Sequence, residues 1–310
     1  MIMKHRIGYA CINTSISATT NKSCKLANCT PERLRELIYS NLSGLKEVIE
    51  WNYQHNIFLY RISSVIIPFA SHPVNTVPWW DENKKQFDEI GRLIKKYRIR
   101  VSMHPGQFVN INSPNPEIVR LSIKDLEWHA KFLDSLGVDS TNRLIIHVGG
   151  VYGDKTSAMA RFIQVYKNIP ENIRVRLSLE NDDKSYNVWD VLNISDQTGI
   201  PVVFDVLHHQ VKNTNQPEDD DIRTILEKCF STWNEQTGIP KIHYSSQRPG
   251  ARPGVHADSI NIDDFTEFYF RFRDLDFDIM FETKDKDKSV LEAFKRLQLE
   301  SAKGFYNKSA

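Results

Sequence analysis

Six short stretches of the sequence end an apolar run on an imidazole or a carboxylate: VSMHP, LIIHVGG, RLSLEND, VVFDVLHH, KIHYS and IMFETK. They place His104, His147, Glu180, Asp205 with His208, His243 and Glu282 at or just past the ends of those runs, and VHADS adds His256. Alone, each reads equally well as a hydrogen-bonded histidine or an ordinary strand terminus. Brought together, these groups would repel one another or stay unsolvated unless a cation joined them. Nitrogen and oxygen donors without a thiolate favour Mn2+, Zn2+ or Fe2+ over soft metals and over the all-oxygen sites of Ca2+ and Mg2+. Eight ligands are too many for one ion, and at roughly four per metal they would serve two or three, with Glu180 and Asp205 bridging. Closely spaced metals activate water and stabilise a leaving oxygen in phosphodiester cleavage, so the pattern points to a phosphoesterase.

The elements that must position these groups follow a repeated rhythm. Eight apolar or β-branched runs, at 6–13, 57–64, 99–105, 143–150, 176–182, 201–209, 241–245 and 278–284, alternate with amphipathic stretches. In PERLRELIYSNLSGLKEVIEWNYQH, Leu34, Leu37, Ile38, Leu42, Leu45, Val48 and Ile49 recur at helical spacing behind Thr30 as N-cap and Pro31 at the first helical position. NKKQFDEIGRLIKKY, IVRLSIKDLEWHAKFLDSLG and DDFTEFYFRFRDL read the same way. Eight such units predict an α/β fold, a single (β/α)8 TIM barrel, in which strand C-terminal ends converge on one active-site mouth. Residues 1–300 would form the barrel and 301–310 a flexible C-terminal tail. A doubly wound open sheet is the alternative, but GYACINTS after the first strand offers one glycine where a phosphate fingerprint needs several.

Composition narrows the partners. The chain has 310 residues, 40% of them hydrophobic, and 40 basic against 39 acidic side chains give a net charge of +1. That balance excludes a global basic field, so any polyanion must be held by a local patch. No apolar run reaches membrane-spanning length, and Ile7 to Ile12 is shorter than a signal core, which predicts a soluble cytoplasmic protein, nucleoid-associated if prokaryotic. Cys11, Cys24, Cys29 and Cys229 are too scattered for a disulfide framework and read as free thiols; Cys24 and Cys29 lack the second pair that zinc would need.

The motifs together resemble the UV damage endonucleases, relatives of endonuclease IV and the xylose isomerase-like barrels. RIGYACIN, TNKSCKLAN, YRISSVIIPFASHP, MHPGQF, IHVGGVYGDK, SLEND, VVFDVLHH, KIHYSSQRPG, VHADSI and FETKDKDK carry the resemblance over nearly the whole chain. It implies a DNA repair endonuclease that nicks double-stranded DNA 5′ of cyclobutane pyrimidine dimers and 6-4 photoproducts. Metal-hydroxide attack on the phosphodiester would leave a 3′-hydroxyl and a 5′-phosphate. It implies the same eight metal ligands, holding two or three Mn2+ ions with Zn2+ or Mg2+ as alternatives; Glu180 and His72 read as catalytic, and Lys241 joins them on the ground of its strand face. His72 would orient a group, contact phosphate or ligate. Asp258 is the nearest equivalent of a metal-binding aspartate in endonuclease IV, though its order relative to His256 is reversed.

Lys241 shares a strand face with His243 by the period of two, so its ammonium would be neutralised, converted to a carbamate or extended to a DNA phosphate. Gln107 and Phe108 form a polar probe and an apolar wedge for the gap left by unstacked bases, with plain packing as the alternative for Phe108. Tyr9 and Asn13 match lesion-contacting positions of the family; Tyr9 reads equally well as core. Arg248 and Arg252, Lys284, Lys286 and Lys288, Lys22 and Lys25, and Lys155 would rim the mouth, or form a solvated surface in which Asp285 and Asp287 offset them. One lesion gives no reason for a dimer, so a monomer is expected. The competing functions are a metal-dependent sugar isomerase or epimerase on the same barrel and a non-catalytic damage-binding protein.

Overall fold

Apolar periodicity and capping together start the first long helix, Pro31–Gln54, where the Thr30 hydroxyl accepts a hydrogen bond from the Arg33 backbone at 3.2 Å. The face carrying Leu34, Leu37, Ile38, Leu42, Leu45, Val48 and Ile49 is the one that is buried. The computed structural model describes residues 4–213 and 221–303. Eight parallel strands pair in chain order: β1 (Ile7–Cys11), β2 (Leu59–Ile62), β3 (Arg100–Met103), β4 (Arg143–His147), β5 (Leu177–Glu180), β6 (Val202–Asp205), β7 (Lys241–Tyr244) and β8 (Asp278–Phe281). β8 pairs back onto β1, so the sheet closes, as the barrel reading requires and the open sheet does not. The last helix, Asp287–Lys303, runs past residue 300, and 304–310 of the expected tail lie outside the described residues. No helix among the described residues is long and apolar enough to cross a membrane, and the four cysteines are free.

The period-two alternation of strands divides the buried side chains between two layers. One set, with Tyr9, Tyr60, Val101, Leu144, Leu179 and Phe204, belongs to the large core that includes the helices' buried faces. The other set fills the lumen, in small groups such as Ala10, Leu59 and Met280 or Ile145, Val203 and Trp233. The lumen's N-terminal end is sealed by charge. Arg100 donates to Asp278 at 2.7 Å, Arg143 donates to Ser178 Oγ at 2.9 Å, and both guanidinium groups lie within 6 Å of the Trp233 ring. At the other end the lumen residues are the candidate ligands.

Candidate metal centre and nucleic-acid interface

Glu180, the last residue of β5, is fully buried at the middle of the cluster. Its Oε2 accepts from His104 Nε2 at 2.9 Å and its Oε1 from His243 Nδ1 at 2.8 Å. His147 Nε2 and His208 Nδ1 each stand 3.8 Å from the same carboxylate. Strand register sets these neighbours, since His147 is the Cα partner of Glu180 and Asp205 that of His243. His208 comes one turn into the helix Val206–Asn213, which brings its ring back over Asp205, with Nδ1 3.7 Å from Asp205 Oδ2. Glu282, one residue beyond β8, has Oε1 3.3 Å from His243 Nδ1 and Oε2 3.8 Å from His256 Nδ1. All eight candidate ligands thus join one continuous set of contacts.

The donor chemistry fits a divalent cation. Ligand atoms of His104, Glu180 and His243 lie within 4.8 Å of one another, and so do those of Glu180, Asp205, His243 and Glu282. Asp205 Oδ2, His243 Nε2, His147 Nδ1 and His256 Nδ1 are buried without a hydrogen-bond partner. Buried polar atoms left unpaired are costly, about 1–3 kcal/mol each, and four of them on ligand-type side chains of one cluster call for a partner. His208 Nδ1 donates to the Asn181 carbonyl at 3.0 Å, which leaves Nε2 for ligation.

Electrostatics report the same crowding. Burial pushes the Asp205 carboxyl up to about 7, with Glu180 and Glu282 adding to the rise and His208 opposing it. Burial would lower the His208 imidazole, but Asp205 and Glu180 carry it up to about 9. Burial would raise Glu180, yet His243, His147 and the hydrogen bonds from His104 and His243 hold it well below the usual carboxylate range. His147 and His256 are lowered, chiefly by burial. Below about pH 7, with no cation bound, Asp205 and His208 both hold protons at positions a cation would take.

Two contributors escaped the sequence reading. Arg61, on a lumen position of β2, forms a buried ion pair with Glu282 Oε1. Asn181 clamps the β6 end: its Nδ2 donates to the Asp205 carbonyl at 3.0 Å and its Oδ1 accepts from the Asp205 N–H at 2.8 Å. Arginine inside LYRI and asparagine directly after Glu180 were the available signals, each a polar residue beside an apolar strand.

The remaining expected site residues fall in several places. Lys241 is buried one layer below His243, its Nζ without a hydrogen-bond partner and its amine held well below the usual lysine range by burial and then by Arg100, against Asp278. His72 lies on an exposed loop, its Nδ1 accepting from the Val74 N–H at 3.1 Å, and its described contacts do not reach the cluster. Tyr9 sits outside the lumen, packed on Tyr60, its hydroxyl donating to Asn52 at 2.7 Å and accepting from Asn13 at 2.8 Å. Strand alternation explains this, because Ala10 takes the adjoining lumen position. Gln107 and Phe108 are exposed at the mouth, Phe108 at 67%.

The basic rim is largely paired. Arg248 binds both oxygens of Asp258 at 2.9 Å and Lys284 approaches the same carboxylate at 3.4 Å, so Asp258 is exposed in the rim and away from the cluster. Lys155 pairs with Asp190. Lys286 reaches inward, where burial lowers its amine beside Arg61 and Glu282. Arg252, Lys22, Lys25 and Lys288 are exposed, Lys22 donating to Ser40 Oγ at 2.8 Å. Asp287 is buried and binds Thr14 and Ser15, tying the β8 loop to the β1 loop.

Comparison with known proteins bears on what this mouth acts on. The family model described as UV-endonuclease UvdE matches residues 5–308. The UV DNA damage endonuclease of Clostridium perfringens is 40% identical over 294 residues, covering 94% of this chain and 71% of that protein. The crystal structure of SacUVDE superposes with a TM-score of 0.88 at 42% identity, over 96% of this chain and 99% of that one. Endonuclease IV from Thermus thermophilus shares the fold alone, with a TM-score of 0.60 at 15% identity, over 94% of this chain and 99% of that one.

Proposed function

The chain belongs to the UV-endonuclease UvdE family and is a DNA repair endonuclease; from that premise we propose that it nicks double-stranded DNA on the 5′ side of cyclobutane pyrimidine dimers and 6-4 photoproducts, leaving a 3′-hydroxyl and a 5′-phosphate. His104, His147, Glu180, Asp205, His208, His243, His256 and Glu282 would hold two or three divalent ions, Mn2+ by preference. When bound, such ions supply the Lewis acidity that activates water and stabilises the departing oxygen. The chain's own groups do the rest. Glu180 spans the cluster, one oxygen toward His104 and the other toward His243, and would hold ions on either side. Asn181 and Arg61 fix the orientations of Asp205, His208 and Glu282.

Damaged bases cost less to unstack than normal ones, and Phe108 with Gln107, both exposed at the mouth, would enter the gap they leave. Asn13 follows β1 at the same end of the barrel, and Tyr9 acts through it by the hydroxyl contact. Arg248 and Lys284 would exchange Asp258 for a phosphate, and Lys155 would exchange Asp190, which leaves the rim self-neutralised until DNA arrives. Arg252 would complete the rim, and Lys286 would meet a phosphate from inside the mouth. His72 serves as an orienting or phosphate-contacting residue from its loop. Lys241, buried without a partner, serves as a neutral amine, a carbamate or a phosphate contact. The protein would act as a cytoplasmic monomer.

The observation that carries this reading is the convergence of eight ligand-type side chains, four with unpartnered buried atoms, on the C-terminal mouth of a UvdE-family barrel. Supercoiled plasmid tests it. Nicking of UV-irradiated plasmid but not of unirradiated plasmid, in Mn2+, is expected; a sugar isomerase or epimerase leaves both intact. Lesion binding without nicks at saturating Mn2+ would favour the damage-binding alternative.

A further inference from the structure

Two adjoining loops at the mouth repeat one device. After β3, in Gly106-Gln107-Phe108, the Phe108 ring folds back over the glycine, where a Cβ would stand 2.5 Å from ring atom Cε1. After β4, in Gly150-Val151-Tyr152, the Tyr152 ring folds over Gly150, where a Cβ would stand 2.8 Å from Cε2 and Cζ. Both rings remain outside the core, Phe108 at 67% and Tyr152 at 44% exposure. The loops follow His104 and His147, whose rings lie 5.2 Å apart, so both loops leave neighbouring ligands of the cluster.

Tyr152 also has a left-handed backbone, φ +53°. That conformation costs energy for a side chain other than glycine, asparagine or aspartate, and packing of a half-exposed ring over one glycine does not require it. The surroundings hold it there. Asn112 Nδ2 and the Tyr186 hydroxyl donate to the Gly150 carbonyl at 2.8 and 2.9 Å. Arg161 donates to the Asn112 carbonyl at 2.9 Å while its guanidinium lies 5.7 Å from the Tyr152 ring. Asn110 in turn donates to the carbonyls of Gln107 and Phe108, each at 3.3 Å. Asn110 and Asn112 belong to the β3 loop, so the two aromatic tips share one braced platform. A rigid ring presented this way loses little freedom on contact.

We propose that Tyr152 is a second DNA-binding aromatic, stacking on a base or deoxyribose face next to the position Phe108 takes, so that the two rings bracket the distorted nucleotides. This rests on the lesion-nicking reading above. Base–aromatic stacking predicts that losing the ring weakens binding by about 5- to 100-fold. The test is anisotropy binding, in EDTA to suppress cleavage, of the full chain to a labelled duplex with one cyclobutane dimer and to the undamaged duplex. Tyr152→Phe should bind the dimer duplex within about twofold of wild type, since every aromatic offers a π-face. Tyr152→Asn, a residue that tolerates the left-handed backbone, should keep the thermal midpoint and lose the affinity. Tyr152→Asn binding as tightly as wild type overturns the stacking role alone. Wild type that does not prefer the dimer duplex overturns the lesion reading and this inference with it.

Discussion

Raising the pH from 6 to 8 should tighten Mn2+ binding by about a thousandfold, and the two protons on Asp205 and His208 account for the size. With Asp205 near 7 and His208 near 9, ligation must displace about two protons at pH 6 and about one at pH 8. Integrated over that interval, Asp205 contributes about tenfold and His208 about a hundredfold. The stability of the metal-free protein moves the opposite way. Asp205 is raised above its unfolded value near 4, so its contribution is complete below about pH 4 and is lost as the pH rises through about 7. His208 contributes fully below about 6.5 and loses that contribution through about 9. Saturating Mn2+ should therefore raise the thermal midpoint more at pH 8 than at pH 6. Titration calorimetry in buffers of different ionisation enthalpy counts the protons directly. Release of fewer than about half a proton at pH 6, or an affinity flat from pH 6 to 8, would refute the assignment of those protons to ligand positions.

Glu180→Gln should remove at least about one bound ion per chain and abolish nicking, since the carboxylate touches both His104 and His243; elemental analysis of dialysed protein checks it. Arg61→Met should destabilise the metal-free protein by about 3–5 kcal/mol by leaving Glu282 buried without its cation, and by less with Mn2+ bound, as denaturant melts with and without the metal would show. Phe108→Ala should leave the urea midpoint within error while reducing dimer-duplex affinity by about 5- to 100-fold, because the ring is exposed and folds back over a glycine. Lys241→Ala should lose nicking activity; full activity at every pH would remove all three roles assigned to the lysine.

The eight-strand barrel and the ligand convergence were legible because both depend on local signals. An apolar run can be recognised from sequence, and closure of the sheet carries each run's polar end to the same mouth. Tyr9 shows the limit: whether it faces the mouth or the helices turns on a one-residue phase that the lumen packing of Ala10 decides. Arg61 was hidden for a related reason, since a basic residue mid-strand looks solvent-facing until Glu282, from the far end of the chain, meets it across the lumen. Lys155, Arg248 and Lys284 read as open phosphate contacts, and their partners Asp190 and Asp258 come from neighbouring elements or across a loop that spacing does not bring together. Loop tips such as Tyr152 carry no periodicity, and what singles it out, a left-handed backbone together with a ring folded over Gly150, exists only in three dimensions.

A duplex with one cyclobutane dimer, labelled on the damaged strand, puts the central claim to its most direct test. The protein should make a single nick 5′ of the dimer, leaving a 3′-hydroxyl and a 5′-phosphate, with no cut in the undamaged duplex. Chelation should abolish the nick and Mn2+ should restore it. A nick insensitive to chelation, or tight binding to the dimer with no nick at saturating Mn2+, would contradict the account.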